Sequence, residues 1–81
     1  MPNVFVERGY RVFFYSDEGT PTEPMHVHVS KGRGKAKFWI EPDVRLARAI
    51  RFHDVELNEL ERLIIGHIDD IRSKWNGHFR S

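Results

Sequence analysis

Apolar residues in this chain follow two different rhythms. Between positions 25 and 40 they alternate, as Met25, Val27 and Val29 and then as Ala36, Phe38 and Ile40. Between positions 57 and 79 they step by 3 or 4, through Leu57, Leu60, Ile64, Ile68, Ile71, Trp75 and Phe79. Alternation sends successive side chains to opposite faces of a strand, whereas steps of three and four keep them on one side of a helix. The earlier part is therefore predicted as sheet and the end as helix.

The helical pattern predicts one element over residues 53–79, about six turns of amphipathic helix. Asp54, Glu56 and Glu59 sit in its opening turns, and Arg72 and Lys74 lie near its end, matching the helix dipole. His53 or Asp54 is the expected N-cap and Gly77 the expected stop.

The strands come in hairpins. Val4-Phe5-Val6 and Tyr10–Tyr15 are rich in β-branched and aromatic residues, and Gly9 supplies a turn between them. Phe13 and Phe14 are adjacent, so that strand is apolar on both faces and reads as central. Ser16 to Pro24, with Gly19, Pro21 and Pro24, reads as a loop. Met25–Ser30 and Lys35–Glu41 form a second hairpin around a four-residue loop, Lys31-Gly32-Arg33-Gly34.

That loop predicts a register. Val29 faces Ala36, Val27 faces Phe38 and Met25 faces Ile40, all inward. On the other face Ser30 meets Lys35, His28 meets Lys37 and His26 meets Trp39. A slip by one residue would mix the two faces, so the clean separation supports the register. Pro42 ends the strand. Residues 44–52 admit either strand or helix, since Val44, Leu46, Ile50 and Phe52 alternate while Ala47 and Ala49 suit a short helix; strand is preferred. The expected fold is α+β: an antiparallel sheet of four or five strands over residues 3–52, with one long C-terminal helix packed on one face. Residues 1–81 are expected to form one domain.

Composition narrows the picture. A chain of 81 residues buries about 60% of its unfolded surface, so modest stability is expected. Cysteine is absent, which excludes a disulfide framework and thiolate metal ligation. No apolar run approaches about 18 residues and Met1-Pro2-Asn3 starts no signal-peptide pattern, so a soluble, cytoplasmic protein of bacterial type is expected. The net charge of +1 conceals an asymmetry. Lys31, Arg33, Lys35, Lys37, Arg45, Arg48 and Arg51 face only Glu41 and Asp43 in the middle of the chain. Asp54, Glu56, Glu59, Glu61, Asp69 and Asp70 then face only Arg62 in the helix. A basic zone is the usual footprint for phosphate or an acidic partner, although uneven surface charge explains it as simply.

Candidate chemistry centres on Pro24-Met25-His26-Val27-His28-Val29. His26 and His28 share one strand face about 7 Å apart, and imidazole is suited to proton transfer or metal binding near neutral pH. Three readings stay open. In the first, Lys31, Arg33, Lys35 and Lys37 hold the phosphates of RNA and Trp39 stacks on a base, with His26 and His28 as general base and general acid if the strand is cleaved without a metal. In the second, His26 and His28 bind a metal ion with a third ligand from Glu41, Glu23, Asp17 or Glu18. In the third, Phe13, Tyr15 and Trp39 form an apolar patch on the uncovered sheet face and the acidic helix face (Glu56, Glu59, Asp70) meets a basic partner. The plainest alternative is a pair of polar histidines on a solvated strand. His67, at the margin of the apolar helix face, reads as a packed histidine. Nucleotide-binding glycine motifs, a P-loop, a nucleophile elbow and a recognition-helix pair are all missing.

Gly9–Ser16, Pro24–Val29, Ala36–Pro42, Glu56–Ile64 and Trp75 together resemble the domain of unknown function 4160 family of short bacterial proteins. The family usually has Pro-Pro-His before its second histidine, where this chain has Glu23-Pro24-Met25-His26. It often has Gly-Phe-Ser before the helix, where this chain has Arg51-Phe52-His53. The resemblance implies a gene beside that of another small protein, and hence a role in a toxin–antitoxin pair. It supplies no catalytic residue. The preferred reading is an RNA-binding toxin–antitoxin component working through His26, His28, Lys31, Arg33, Lys35, Lys37 and Trp39. No cofactor is expected. The expected partners are RNA, a cognate small protein or a second copy of the chain, with no membrane.

Overall fold

The computed structural model describes residues 3–15 and 23–79. Five strands follow one another as an antiparallel meander: β1 (Asn3–Glu7), β2 (Tyr10–Phe13), β3 (His26–Lys31), β4 (Gly34–Trp39) and β5 (Arg45–Ile50). Two helices follow, α1 (Asp54–Gly66) and α2 (Ile68–Phe79). The α+β class and the antiparallel sheet are as expected, and residues 45–50 resolve to a strand. Most of the expected loop, residues 16–22, lies outside the described residues.

Turn chemistry explains the hairpins. Arg8 and Gly9 both adopt left-handed backbone angles, with φ of 53° and 84°, the requirement of a type I′ turn. Arg8 carries a side chain into that region, and its guanidinium donates a 2.7 Å bond to Glu59 of α1. The Tyr10 hydroxyl donates to the other oxygen of the same carboxylate at 3.1 Å. These bonds hold Glu59 below the usual carboxylate range, while burial and then Glu59 push the Tyr10 phenol up.

The second hairpin closes more tightly than expected. Lys31 pairs with Gly34, so the turn is only Gly32-Arg33, with φ of 56° at Gly32. Because the two extra residues form one further pair, the predicted register survives unchanged, from Ser30–Lys35 to His26–Trp39. The Ile40 amide donates to the Met25 carbonyl at 2.8 Å and extends the pairing by one step.

One face of the sheet carries the core. Val12, Val27, Val29, Phe38 and Ile40 are buried with Leu60 and Ile64 of α1 and Ile71 and Trp75 of α2. The expected single long helix is corrected to two. Gly66 and His67 mark the break, with His67 at φ −109° and ψ 19°. Its amide still donates to Leu63 and Ile64 at 3.1 Å, and its carbonyl accepts from Ile71 at 3.0 Å. Hydrogen bonding therefore bridges a one-residue kink, and the apolar face continues in phase across it. Tertiary contacts hold the kink: the His67 ring stacks on Phe5 at 3.9 Å and bonds Glu7 at 2.9 Å. That bond raises the His67 pKa, burial lowers it, and Asp70 adds a smaller upward push. The helix also runs to Phe79, past the Gly77 stop expected from sequence.

Candidate nucleic-acid interface

Pairing places the second sheet face residue by residue. Arg11 pairs with Ser30, Ser30 with Lys35 and Lys35 with Ile50, which makes one row across four strands. Phe13, His28, Lys37 and Arg48 make the next. His26, Trp39 and Arg45 make a third, after a bulge between Lys37 and Phe38. Helices pack on the opposite face, and these rows form the other side of the sheet, grooved along the first two rows but covered at His26, where Trp75 of α2 lies against the ring.

The open side is grooved. A depression of about 430 Å³ is floored by Val29, Ala36 and Ala49. Phe13, Tyr15 and His28 line its β2–β3 side, and Lys35, Arg48 and Ile50 line its β4–β5 side, with Arg11 also at the wall. The aromatic wall is a packed cluster. His28 lies 5.7 Å from Phe13 and 4.8 Å from Tyr15, and those two rings meet edge-on at 5.5 Å. Tyr15 is 45% exposed.

Each cation on this face has a distinct setting. The Arg11 guanidinium sits 4.5 Å from the Phe13 ring centre and donates to the Ser30 hydroxyl at 3.4 Å. Lys37 sits 4.4 Å from the Trp39 ring centre and bonds Glu23 at 3.1 Å, leaving its side chain 12% exposed. Lys35 and Arg48 have no carboxylate partner among the described residues.

The residues expected at the site divide accordingly. His28 and Lys35 line the groove, and Lys37 and Trp39 lie on the same face beside it. His26, expected from its spacing to face outward with His28, is instead fully buried. Trp75 of α2 reaches its ring at 5.3 Å, with His28 at 5.3 Å and Trp39 at 5.7 Å. Its Nδ1 lies 2.9 Å from the Pro24 carbonyl, which only accepts, so that nitrogen carries the proton. Lys31 turns to the helix side, where its ammonium covers the Tyr10 ring at 4.4 Å. Arg33 is exposed at the hairpin tip. Sequence reasoning missed Arg11, Arg48 and Ile50 as groove residues. Extending the hairpin register outward to β2 and β5 was the signal that would have found them.

Other expected surfaces change as well. Glu56 accepts the His53 amide at 2.9 Å as a helix cap, and Asp70 lies 3.5 Å from His67. With Glu59 on Arg8, the acidic helix face is largely occupied within the chain. Among the described residues no group of three His, Asp or Glu side chains is placed to hold a metal ion. Asp17 and Glu18, two of the expected third ligands, lie outside the described residues. No helix among the described residues is long and apolar enough to cross a membrane.

Fold and surface together define a small antiparallel meander with helices on one face and an open face that mixes aromatic rings with cations. A family model described as a domain of unknown function (DUF4160) matches residues 9–76, and the chain belongs to that family. No curated protein and no solved structure matches it.

Proposed function

We propose that the open sheet face binds single-stranded nucleic acid, with RNA as the ligand. The observation that carries this reading is the interleaving of Tyr15, His28 and Trp39 with Arg11, Lys35 and Arg48 on one sheet face, with Phe13 buried beneath them. Unpaired bases stack on aromatic side chains, each stack contributing about 1–3 kcal/mol, while cations follow the backbone. Duplex RNA hides its base faces and would use only the cations. His28 in the groove and Ser30 beside it offer hydrogen-bonding groups to a ribose 2′-hydroxyl.

Cleavage is the less supported extension. His28 reaches the groove, but His26 is enclosed and cannot touch a ribose in this arrangement. A toxin–antitoxin role, which the family resemblance implies, would act through RNA held on this face.

Fluorescence anisotropy with labelled octauridylate tests the reading. Three phosphate contacts, from Arg11, Lys35 and Arg48, give an expected slope of about −2 in log affinity against log salt. A duplex of equal length is expected to bind more weakly. Equal affinity for the duplex, or no binding of either, refutes the proposal.

A further inference from the structure

The two sides of the groove differ in chemistry, and the difference has a direction. Rings crowd the β2–β3 side and the uncompensated charge lies on the β4–β5 side. Arg11 also contacts Phe13 and Ser30, and Lys37 contacts Trp39 and Glu23. Lys35 and Arg48 have no such carboxylate or ring contact among the described residues, and both line the groove.

The dimensions fit one nucleotide. From His28 on β3 to Lys35 on β4 is a diagonal step of about 7–8 Å between Cα atoms. From His28 to Arg48 on β5 is two strand spacings, about 10 Å, within reach of a long side chain. A volume of about 430 Å³ falls at the small end of ligand pockets.

Resting on the binding reading above, we propose that this groove is a one-nucleotide subsite. The base packs against Tyr15 and His28, and the phosphate of the same nucleotide is held between Lys35 and Arg48. The ligand class is a nucleoside monophosphate unit, either free or as one residue of a strand. Arginine offers a planar fork to phosphate and lysine a point charge, so together they contact different oxygens.

Calorimetric titration of the full chain with UMP, uridine, inorganic phosphate and octauridylate tests this. UMP is expected to bind at least about tenfold tighter than uridine or phosphate alone, the scale of one charged contact. Lys35→Gln with Arg48→Gln is expected to weaken UMP by about tenfold or more while leaving uridine unchanged. Tyr15→Ala is expected to weaken both ligands alike. Circular dichroism confirms that each variant is folded. Octauridylate binding without UMP binding, or UMP affinity indifferent to Lys35 and Arg48, overturns the subsite and leaves the binding face standing. UMP binding without octauridylate binding supports the subsite and overturns the strand reading. Failure of both ligands overturns both.

Discussion

Replacing His26 by alanine is expected to act on stability before it acts on any ligand. The imidazole is fully buried and its ring centre lies within 5.7 Å of three other rings, those of His28, Trp39 and Trp75. Truncating an enclosed Phe or Trp costs about 3–5 kcal/mol, and imidazole is smaller, so about 2–3 kcal/mol is expected from packing. The Pro24 carbonyl also loses its donor at 2.9 Å, which adds about 1 kcal/mol. The total of about 3–4 kcal/mol is a large part of the roughly 4–12 kcal/mol typical of a chain of this length. At about 4–8 °C per kcal/mol for small domains, Tm should fall by about 12 °C or more. His28→Ala, on a half-buried groove residue, should cost only about 1 kcal/mol yet weaken octauridylate binding. Thermal and urea unfolding followed by circular dichroism, with anisotropy on the same samples, separates the two. If His26→Ala keeps its Tm within about 3 °C of the wild type and loses binding, the packing argument is wrong and His26 is a ligand-facing group.

Alanine at two glycines should give opposite signs. A Cβ at Gly34 would meet the Phe52 ring at 2.7–3.0 Å, so overpacking of about 1–3 kcal/mol should exceed the backbone gain and lower the urea midpoint. A Cβ at Gly66 meets nothing within 4 Å and needs no left-handed backbone, so Gly66→Ala should stabilise by about 0.5–1 kcal/mol; a loss instead would show that the kink at His67 depends on glycine. The His67 pKa is raised in the folded chain, mainly by Glu7. Its contribution is therefore fully present below the unfolded value of about 6.5 and is lost as pH rises through the folded pKa. The unfolding free energy from urea titrations should fall over that interval by less than about 1 kcal/mol, since the pair is partly exposed, and Glu7→Gln should flatten the profile. A Glu7→Gln profile as steep as the wild type would remove His67 as the cause.

Periodicity determined a good deal by itself. The β3–β4 register was legible from Met25 to Ile40 because each inward pair is apolar and each outward pair polar or amphipathic, and turn length did not alter that match. The helical face from Leu57 to Phe79 was legible too, but not its break, since a kink bridged by the Leu63, Ile64 and Ile71 hydrogen bonds leaves apolar spacing in phase. At the break His67 packs on Phe5 and bonds Glu7, some 60 residues away in β1, contacts that no local pattern announces. The candidate site divides in the same way. Local alternation determined that His26, His28, Lys35, Lys37 and Trp39 share a strand face. Only tertiary structure decided that Trp75 encloses His26, that Lys31 lies on Tyr10, and that Arg11 and Arg48 come to the groove from β2 and β5. Alternation specifies which side of a strand a residue takes, whereas exposure depends on what the rest of the chain packs against that side.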